Sequence, residues 1–359
     1  MNLYPIEVIS TLKPEILEIR WMPHNVCNFK CRYCFPGSFE GYDKPPQDLD
    51  LVIKNITHLM NWYKENLNKT KFHFKILGGE PTLFKGLEAV INELKNNFDM
   101  YTTIISNGSR TLRWWQENGH LFDNAVLSYH APQADLDHHI AVADTLYALG
   151  KKVTVLSLMD PTMWDKCVAN IEYMKKHGKH KWLIQAKELV DYGQPDPIIY
   201  TLEQKEYLNN EHKQYPSVFW LLKNIKLIFN GSIRLYESKT RLNDGSTISA
   251  RAQTYINKDW NNFKNWSCNI GLDVLFISSD GDVTGSCGQR IYNLNYSHNI
   301  LNQDFVDTFD PEPVPTICGL DKCTCQPETH ISKFNLGERN VSRTSTEVPI
   351  TFYGITRQS

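Results

Sequence analysis

The chain has 359 residues, of which 41% are hydrophobic and 22% are charged, so it is long enough to bury a large core. Its formal net charge is -2 and it has no long basic block, which argues against a general nucleic-acid or membrane-surface binder. The N-terminal region has no apolar run of signal-peptide or membrane length, so we expect a cytoplasmic protein.

Short β-type runs alternate with helical stretches through the first half of the chain. The predicted strands are Ile16–Trp21, Phe72–Leu77, Tyr101–Ser106, Asn124–Tyr129, Lys152–Leu158 and Trp182–Lys187. The predicted helices between them are Leu49–Asn66, Leu83–Asn96, Leu112–Asn118, Ala134–Leu149 and Met163–His177. This alternation predicts an α/β fold with a parallel sheet, and six strands favour a partial (β/α)6 TIM-like barrel. A doubly wound sheet would have the same pattern.

The pattern changes after about residue 190. The segment Asp191–Pro197 contains Gly and Pro and is typical of a connection. Further along, Asp273–Ser278 and Val283–Ser286 flank Asp280-Gly281, which predicts a β-hairpin. We therefore predict a barrel at 1–195, a connecting segment at 196–260, a smaller cysteine-rich domain at 261–335 and a C-terminal tail at 336–359.

The nine cysteines fall into two groups and one single residue, Cys167, which we expect to face the core from a helix. In a cytosolic chain, clustered cysteines bind metal or do redox chemistry more often than they form disulfides. Cys27, Cys31 and Cys34 follow the first predicted strand. Three thiolates can hold a four-iron cluster and leave one iron open for chemistry. A zinc site, or a structural cluster with a distant fourth cysteine, is the alternative.

The spacing Cys27-x3-Cys31-x2-Cys34, with Tyr33 before the last cysteine, resembles the hallmark of the radical S-adenosylmethionine (SAM) superfamily. The stretch Gly78-Gly79-Glu80-Pro81, after the second predicted strand, resembles the GGE motif of that family. The resemblance covers roughly residues 15–190. It implies a [4Fe-4S] cluster on the three cysteines, with the backbone of Gly78 and Gly79 and the side chain of Glu80 binding the amino group of SAM.

Ser106, Asn107 and Ser128 match more loosely the positions that contact the ribose and carboxylate of SAM in that family. Capping of the following helices is the alternative for these residues. The resemblance implies that SAM is cleaved reductively to methionine and a 5′-deoxyadenosyl radical, which abstracts hydrogen from the substrate. It also implies an electron donor, such as a flavodoxin or ferredoxin, as a partner.

The second cysteine group lies near the predicted hairpin and comprises Cys268, Cys287, Cys318, Cys323 and Cys325. We expect the hairpin to bring Cys268 and Cys287 together, while the later loop supplies two further thiolates. Spacing alone leaves an iron–sulfur site and a four-thiolate zinc site open. The stretch from Cys268 to Cys287 resembles the start of the SPASM/twitch extension of radical SAM enzymes, which implies an auxiliary [4Fe-4S] cluster. We expect one such cluster, with either Cys318 or Cys325 spare.

The substrate is predicted only as a class, because relatives with this extension act on ribosomally made peptides or on small molecules. Only 26 residues precede Cys27, so we expect no leader-binding domain ahead of the barrel. His130, at the end of the fourth predicted strand, is the candidate catalytic residue for proton transfer, because its ordinary pKa lies near neutrality. A non-catalytic iron–sulfur electron carrier, which would not need Gly78-Gly79-Glu80, and a zinc-stabilised scaffold are the alternatives.

Overall fold

A computed structural model of the protein describes residues 3–10, 12–34, 48–180, 182–189, 197–214, 237–251, 254–255, 258–285, 291, 298–323 and 331–338. The strands in these ranges are β1 (Pro5–Ser10), β2 (Ile16–Trp21), β3 (Lys71–Ile76), β4 (Met100–Ser106), β5 (Asn124–Tyr129), β6 (Lys152–Leu158), β7 (Leu183–Lys187), β8 (Glu237–Leu242), β9 (Thr247–Arg251), β10 (Ser267–Cys268), β11 (Val274–Ile277), β12 (Asp282–Thr284), β13 (His298–Asn299), β14 (Thr316–Ile317) and β15 (Lys333–Phe334).

The α-helices of the same ranges are α1 (Leu49–Leu67), α2 (Leu87–Asn97), α3 (Leu112–Asn118), α4 (Leu136–Ala148), α5 (Trp164–His177), α6 (Leu202–Gln214) and α7 (Phe305–Thr308). Helix α1 buries one apolar face completely, formed by Val52, Ile56, Leu59 and Tyr63. None of the helices in the described ranges combines the length and the apolar character that crossing a lipid bilayer requires.

The larger sheet has the strand order β13-β12-β11-β2-β3-β4-β5-β6-β7 within the described residues. Strands β11 and β2 to β7 are parallel neighbours, and β12 and β13 add antiparallel strands at one edge. All six predicted strands are present to within one residue at each end, which confirms the α/β fold with a parallel sheet. In this part of the chain the sheet does not close, because β13 and β7 are its two edges.

The start of α2 differs from the prediction by four residues. Glu80 caps a short 3₁₀ turn at Pro81–Leu83, where the sequence pattern predicts the helix to begin. Gly86 then has a φ of +92°, a conformation that glycine tolerates and that other residues rarely adopt. The turn and this glycine place the first residue of α2 at Leu87. Residues 80–86 therefore connect β3 to α2 through a 3₁₀ turn and a glycine with positive φ, rather than through helix.

A second, antiparallel sheet has the order β14-β10-β15-β1-β8-β9 among the described residues. The sequence pattern predicts no strand at β1 and a connection at 196–260, whereas the structure places α6, β8 and β9 there. Strand β1 pairs with both β8 and β15, which lie far along the chain, so no local pattern distinguishes β1 from a loop. Strands β8 and β9 pair with each other, and Asp244-Gly245 between them is a local hairpin signal that the prediction missed.

The predicted C-terminal hairpin extends the larger sheet. Its strands β11 and β12 pair Phe276 with Thr284 and Ile277 with Val283, and β11 also pairs with β2 in parallel. Fully buried Lys69 reinforces this junction, since its Nζ lies 2.8 Å from an Asp273 carboxylate oxygen and 2.8 Å from the Pro14 carbonyl oxygen. Residues on both sides of the predicted domain boundary at 260 thus form one sheet.

Candidate functional site

The first cysteine group lies on the loop that follows β2, at the carboxyl end of the parallel strands. Cys27 and Cys31 are only 9% and 7% exposed, and Cys34 is half-buried. Burial raises the pKa of Cys27, and it raises the pKa of Cys31 to about 12, with the neighbouring cysteines acting in the same direction. Three thiolates this close together therefore need a compensating positive charge, which bound metal provides.

The donor set fits a four-iron cluster, in which three cysteine sulfurs would bind three of the irons. Within the described ranges, no three or more His, Cys, Asp and Glu side chains converge on a point where one metal ion could bind. In a [4Fe-4S] cluster each cysteine sulfur binds a different iron, so the ligands stand apart from one another. Cys27, Cys31 and Cys34 supply three sulfur donors from eight consecutive residues and interact electrostatically.

The motif at Gly78–Glu80 packs directly against the chain segment before Cys27. The Gly79 N–H donates to the His24 carbonyl oxygen at 3.3 Å, and the Glu80 N–H donates to the Val26 carbonyl oxygen at 2.8 Å. A Cβ on Gly79 would lie 2.5 Å from the carbonyl oxygen of Asn25 and would also overlap the carbonyl group of Val26. Glycine is therefore required for the two loops to touch.

Glu80 lies inside this junction, and its carboxylate is fully buried. One oxygen accepts hydrogen bonds from the Thr82 N–H at 3.1 Å, the Thr82 hydroxyl at 2.6 Å and the Ser106 hydroxyl at 2.8 Å. The other accepts from the Asn107 N–H at 2.7 Å. Burial raises the pKa of Glu80, while these hydrogen bonds oppose the shift. The carboxylate joins the ends of β3 and β4 and exposes no surface, and the contact with SAM that the resemblance implies stays a prediction.

Asn107 continues the connection from Glu80 to the cysteine loop. Its side-chain nitrogen donates to the Asn28 side-chain oxygen at 3.0 Å and lies 3.8 Å from the Cys27 sulfur. Its side-chain oxygen accepts from the Ser109 N–H at 3.0 Å. The structure therefore brings the predicted residues Glu80, Ser106 and Asn107 together around Cys27. Asn28, which sequence reasoning missed, completes the contact.

His130 lies against the cysteine loop, and Ser128 lies half-buried on β5 two residues before it. The Nδ1 atom of His130 is 3.1 Å from the Cys31 sulfur and 3.1 Å from the Tyr33 hydroxyl oxygen. The His130 and Tyr33 rings stack with their centroids 5.9 Å apart. Burial lowers the pKa of His130 to about 4, so the ring is neutral near pH 7. The proton-transfer role that the sequence predicts for His130 stays a prediction.

Two further side chains that sequence reasoning missed hold the cysteine loop. Gln133 accepts from the Lys30 N–H at 2.7 Å and donates to the Cys31 sulfur at 3.3 Å. Arg32 pairs with buried Asp160, with an Arg32 nitrogen 2.6 Å from a carboxylate oxygen. Gln133 lies outside both motifs, and Arg32 is a variable position of the cysteine motif, so only the folded chain shows that these contacts exist.

A charged group is buried on β2 and β3. The Glu18 carboxylate is 2.6 Å from an Arg20 nitrogen and 3.0 Å from the Lys75 Nζ. His73 lies 3.6 Å from the same carboxylate and 2.9 Å from the Thr103 hydroxyl. These residues alternate with apolar ones along each strand, and they pair across the sheet as Glu18 with His73 and Arg20 with Lys75. The alternation in the sequence would have been enough to find this polar face.

The second cysteine group is only partly described, because Cys287 and Cys325 lie outside the described residues. Cys268 is on β10 in the smaller sheet, so the β11–β12 hairpin does not include it. Cys318 and Cys323 are buried in an apolar cluster that also contains Val8, Phe263 and Trp266. Cys268 belongs instead to the main core. Cys167, the single cysteine, is buried on α5 as expected.

Residues 21–184 match the family model described as the radical SAM superfamily. This part of the chain is a radical SAM domain. Among curated proteins, the chain is 27% identical over 179 residues to a GTP 3',8-cyclase of Microcystis aeruginosa, which covers 48% of this chain and 43% of that protein. It is 34% identical over 102 residues to the GTPase Obg of Brachyspira hyodysenteriae, which covers 28% of this chain and 15% of that protein. Both matches span less than half of the relative's own length.

Two solved structures have a similar fold. SuiB of Streptococcus suis, bound to the precursor peptide SuiA, aligns with a TM-score of 0.51 and 17% identity over 85% of this chain and 66% of that chain. The protein anSMEcpe, with bound AdoMet and the Kp18Cys peptide, aligns with a TM-score of 0.50 and 17% identity over 82% of this chain and 80% of that chain. At such identities the likeness shows the fold alone.

Proposed function

We propose that the protein is a radical SAM enzyme in which Cys27, Cys31 and Cys34 hold a [4Fe-4S] cluster and the Gly78–Glu80 loop helps to bind SAM. The observation that carries this proposal is the contact between the two loops, in which the Glu80 N–H donates to the Val26 carbonyl oxygen at 2.8 Å. That contact joins the glycine loop to the segment just before Cys27, at the carboxyl end of the parallel sheet, where α/β folds bind their ligands.

Some residues would bind the cluster and SAM, and others would hold the loops in position. A [4Fe-4S] cluster with SAM supplies one-electron reductive cleavage of SAM and removal of a hydrogen atom from a substrate. The glycines at 78 and 79 let the backbone approach closely. Glu80 and Asn107 fix the loop through buried hydrogen bonds, while the half-buried Ser128 remains available for SAM. Tyr33 and His130 stack beside Cys31 and shield it from water.

For the substrate we propose a peptide or a small molecule. The fold similarity to SuiB and anSMEcpe, both solved with peptides, supports the first class. The sequence similarity to GTP 3',8-cyclases supports the second class. An electron donor such as a flavodoxin or ferredoxin would supply the electron.

We further propose that Cys268, Cys318 and Cys323, together with Cys287 or Cys325, hold an auxiliary [4Fe-4S] cluster. The support is the pairing of β10 with β14, which places Cys268 on the strand next to Thr316 and brings the Cys318 N–H to the Trp266 carbonyl oxygen at 2.9 Å. Cys268, Cys318 and Cys323 are all buried cysteines without a disulfide, and cysteine sulfur is the donor that a [4Fe-4S] cluster requires.

The test is an anaerobic preparation, assayed for iron, sulfide and the 5′-deoxyadenosine formed after reduction with SAM present. Replacing Cys27, Cys31 and Cys34 with Ala should remove about half of the iron and all 5′-deoxyadenosine formation, because an open iron is needed to hold SAM. Replacing Cys268 and Cys287 with Ala should remove the other half of the iron and leave part of the SAM cleavage. Cys167→Ala, a buried thiol outside both groups, is the matched control. Continued 5′-deoxyadenosine formation by the triple variant would show the proposal to be wrong.

A further inference from the structure

Gln133 connects the end of β5 to the cysteine loop through both ends of its side-chain amide. Its oxygen accepts from the Lys30 N–H at 2.7 Å, and its nitrogen donates to the Cys31 sulfur at 3.3 Å. The orientation of the amide is determined by chemistry, because a backbone N–H can only donate and so must face the oxygen. The N–H group of Gln133 is thereby directed at the sulfur.

The three cysteine sulfurs differ in what surrounds them. The Cys31 sulfur contacts Gln133 at 3.3 Å and His130 at 3.1 Å. The Cys27 sulfur accepts from the Phe29 N–H at 3.4 Å, with the Asn107 side chain at 3.8 Å. Cys34 receives no side-chain hydrogen bond at its sulfur from the residues that the structure describes. Of the three ligands, Cys31 therefore has the shortest contacts with side-chain donors.

We propose that Gln133 raises the reduction potential of the [4Fe-4S] cluster held by Cys27, Cys31 and Cys34, through its N–H···S hydrogen bond to Cys31. The inference rests on the proposed function, since it requires that cluster. Hydrogen bonds to the sulfurs are one of the factors that set the potential of an iron–sulfur cluster. Reduction adds negative charge to the sulfurs, so a donor stabilises the reduced state more than the oxidised state. Gln133 is thus a positioning residue that acts through Cys31.

The experiment is an anaerobic potentiometric titration without SAM, followed by the EPR signal of the reduced cluster. Gln133→Met keeps the length of the side chain and removes the donor. At the wild-type midpoint potential, the variant should show a several-fold lower ratio of reduced to oxidised cluster; a tenfold change corresponds to about 59 mV for one electron. Gln116→Met, at an exposed position on α3, is the matched control and should leave the ratio unchanged.

A second measurement uses only the wild-type protein, so its outcome does not depend on whether a variant binds iron. Pulsed EPR of the reduced wild-type protein, labelled with ¹⁵N in its glutamine side-chain amides, should show a nitrogen coupled to the cluster. An unshifted potential in Gln133→Met, or no ¹⁵N coupling in the wild type, would overturn the inference while the cluster itself stands. Absence of iron and sulfide from the wild-type protein would instead reject the proposed function.

Discussion

The two cysteine groups of the chain lie in opposite kinds of surroundings. Around the first group, polar side chains from the ends of β4 and β5 reach the loop, including Asn107 and Gln133. Around the second group, Cys318 and Cys323 pack among apolar and aromatic side chains such as Val8 and Phe263. The first environment therefore supplies hydrogen bonds to its sulfurs, whereas the second supplies mainly burial.

The two groups of cysteines therefore depend on different interactions to hold them in place before metal binds. A loop held by backbone and amide hydrogen bonds keeps its shape whether or not its thiols are ionised. Cys318 and Cys323 are held instead by packing among apolar and aromatic side chains. We therefore expect the first site to be sensitive to substitution of its polar neighbours, and the second to be sensitive to substitution of its apolar neighbours.

The largest effect should come from Gly79→Ala, which disrupts the contact between the Gly78–Glu80 loop and the segment before Cys27. The added Cβ would lie 2.5 Å from the Asn25 carbonyl oxygen, so the two loops must separate. Overpacking of this kind costs about 1–3 kcal/mol, and displacement of the loop should abolish most formation of 5′-deoxyadenosine. Gly150→Ala is the control, because its Cβ meets nothing within 4 Å and its φ of +75° adds only strain, about 1 kcal/mol. Equal activity of the two variants would contradict the prediction.

Glu80→Gln should have the next largest effect and should act on stability. In either orientation the amide would turn its NH2 group toward a donor, because one carboxylate oxygen accepts from Thr82 and Ser106 and the other accepts from the Asn107 N–H. We expect a loss of about 1–3 kcal/mol in the free energy of unfolding, measured by chemical denaturation of the protein without SAM. Glu117→Gln, on the exposed surface of α3, should change the same quantity by less than about 0.5 kcal/mol. Wild-type stability combined with weaker SAM binding would instead indicate direct contact between Glu80 and SAM.

Substitutions in ion pairs near the two cysteine groups should give the smallest effect. We expect that effect to be larger near the first group than near the second. In the first region Asp160 is buried against half-buried Arg32, while in the second Lys264 and Asp321 are both exposed. Arg32→Ala should lower the free energy of unfolding by about 1–3 kcal/mol, whereas Lys264→Ala should leave it nearly unchanged. A loss from Lys264→Ala as large as that from Arg32→Ala would remove the contrast between the regions.

The pH dependence of the Arg32→Ala effect follows from Asp160. Burial opposes ionisation of this carboxyl, but hydrogen bonds from Arg32 and Thr162 lower its pKa below the ordinary 3.8. The stabilisation is therefore complete above pH 3.8 and is lost as the pH falls through the lowered pKa. Denaturation curves of the wild type and of Arg32→Ala should converge in that acidic range.

The parallel sheet and the two loop motifs could be predicted from the sequence because both are encoded locally. Buried parallel strands are short apolar runs between amphipathic helices, and the spacing of Cys27, Cys31 and Cys34 is readable without a structure. The smaller sheet could not be predicted, since β1 pairs with strands more than 200 residues away.

The candidate site was predicted less completely than the fold. The sequence identifies Glu80, Asn107 and His130 as residues at strand ends, but their partners depend on how the strand ends meet. Glu80 turns inward to Ser106, and His130 contacts Cys31 rather than open solvent. Gln133 carries no motif at all, so its contact with the cysteine loop appears only in the folded chain.

The parallel pairing of β2 with β11 has a consequence for synthesis on the ribosome. Trp21 pairs with Ile277, so β2 emerges long before the strand that covers its outer edge. Until then the nascent sheet presents an unpaired edge strand, which is a site for aggregation or chaperone binding. The Lys69–Asp273 contact forms at the same late stage and closes that edge. Chains released before residue 277 should therefore be insoluble, even when they contain the whole radical SAM domain.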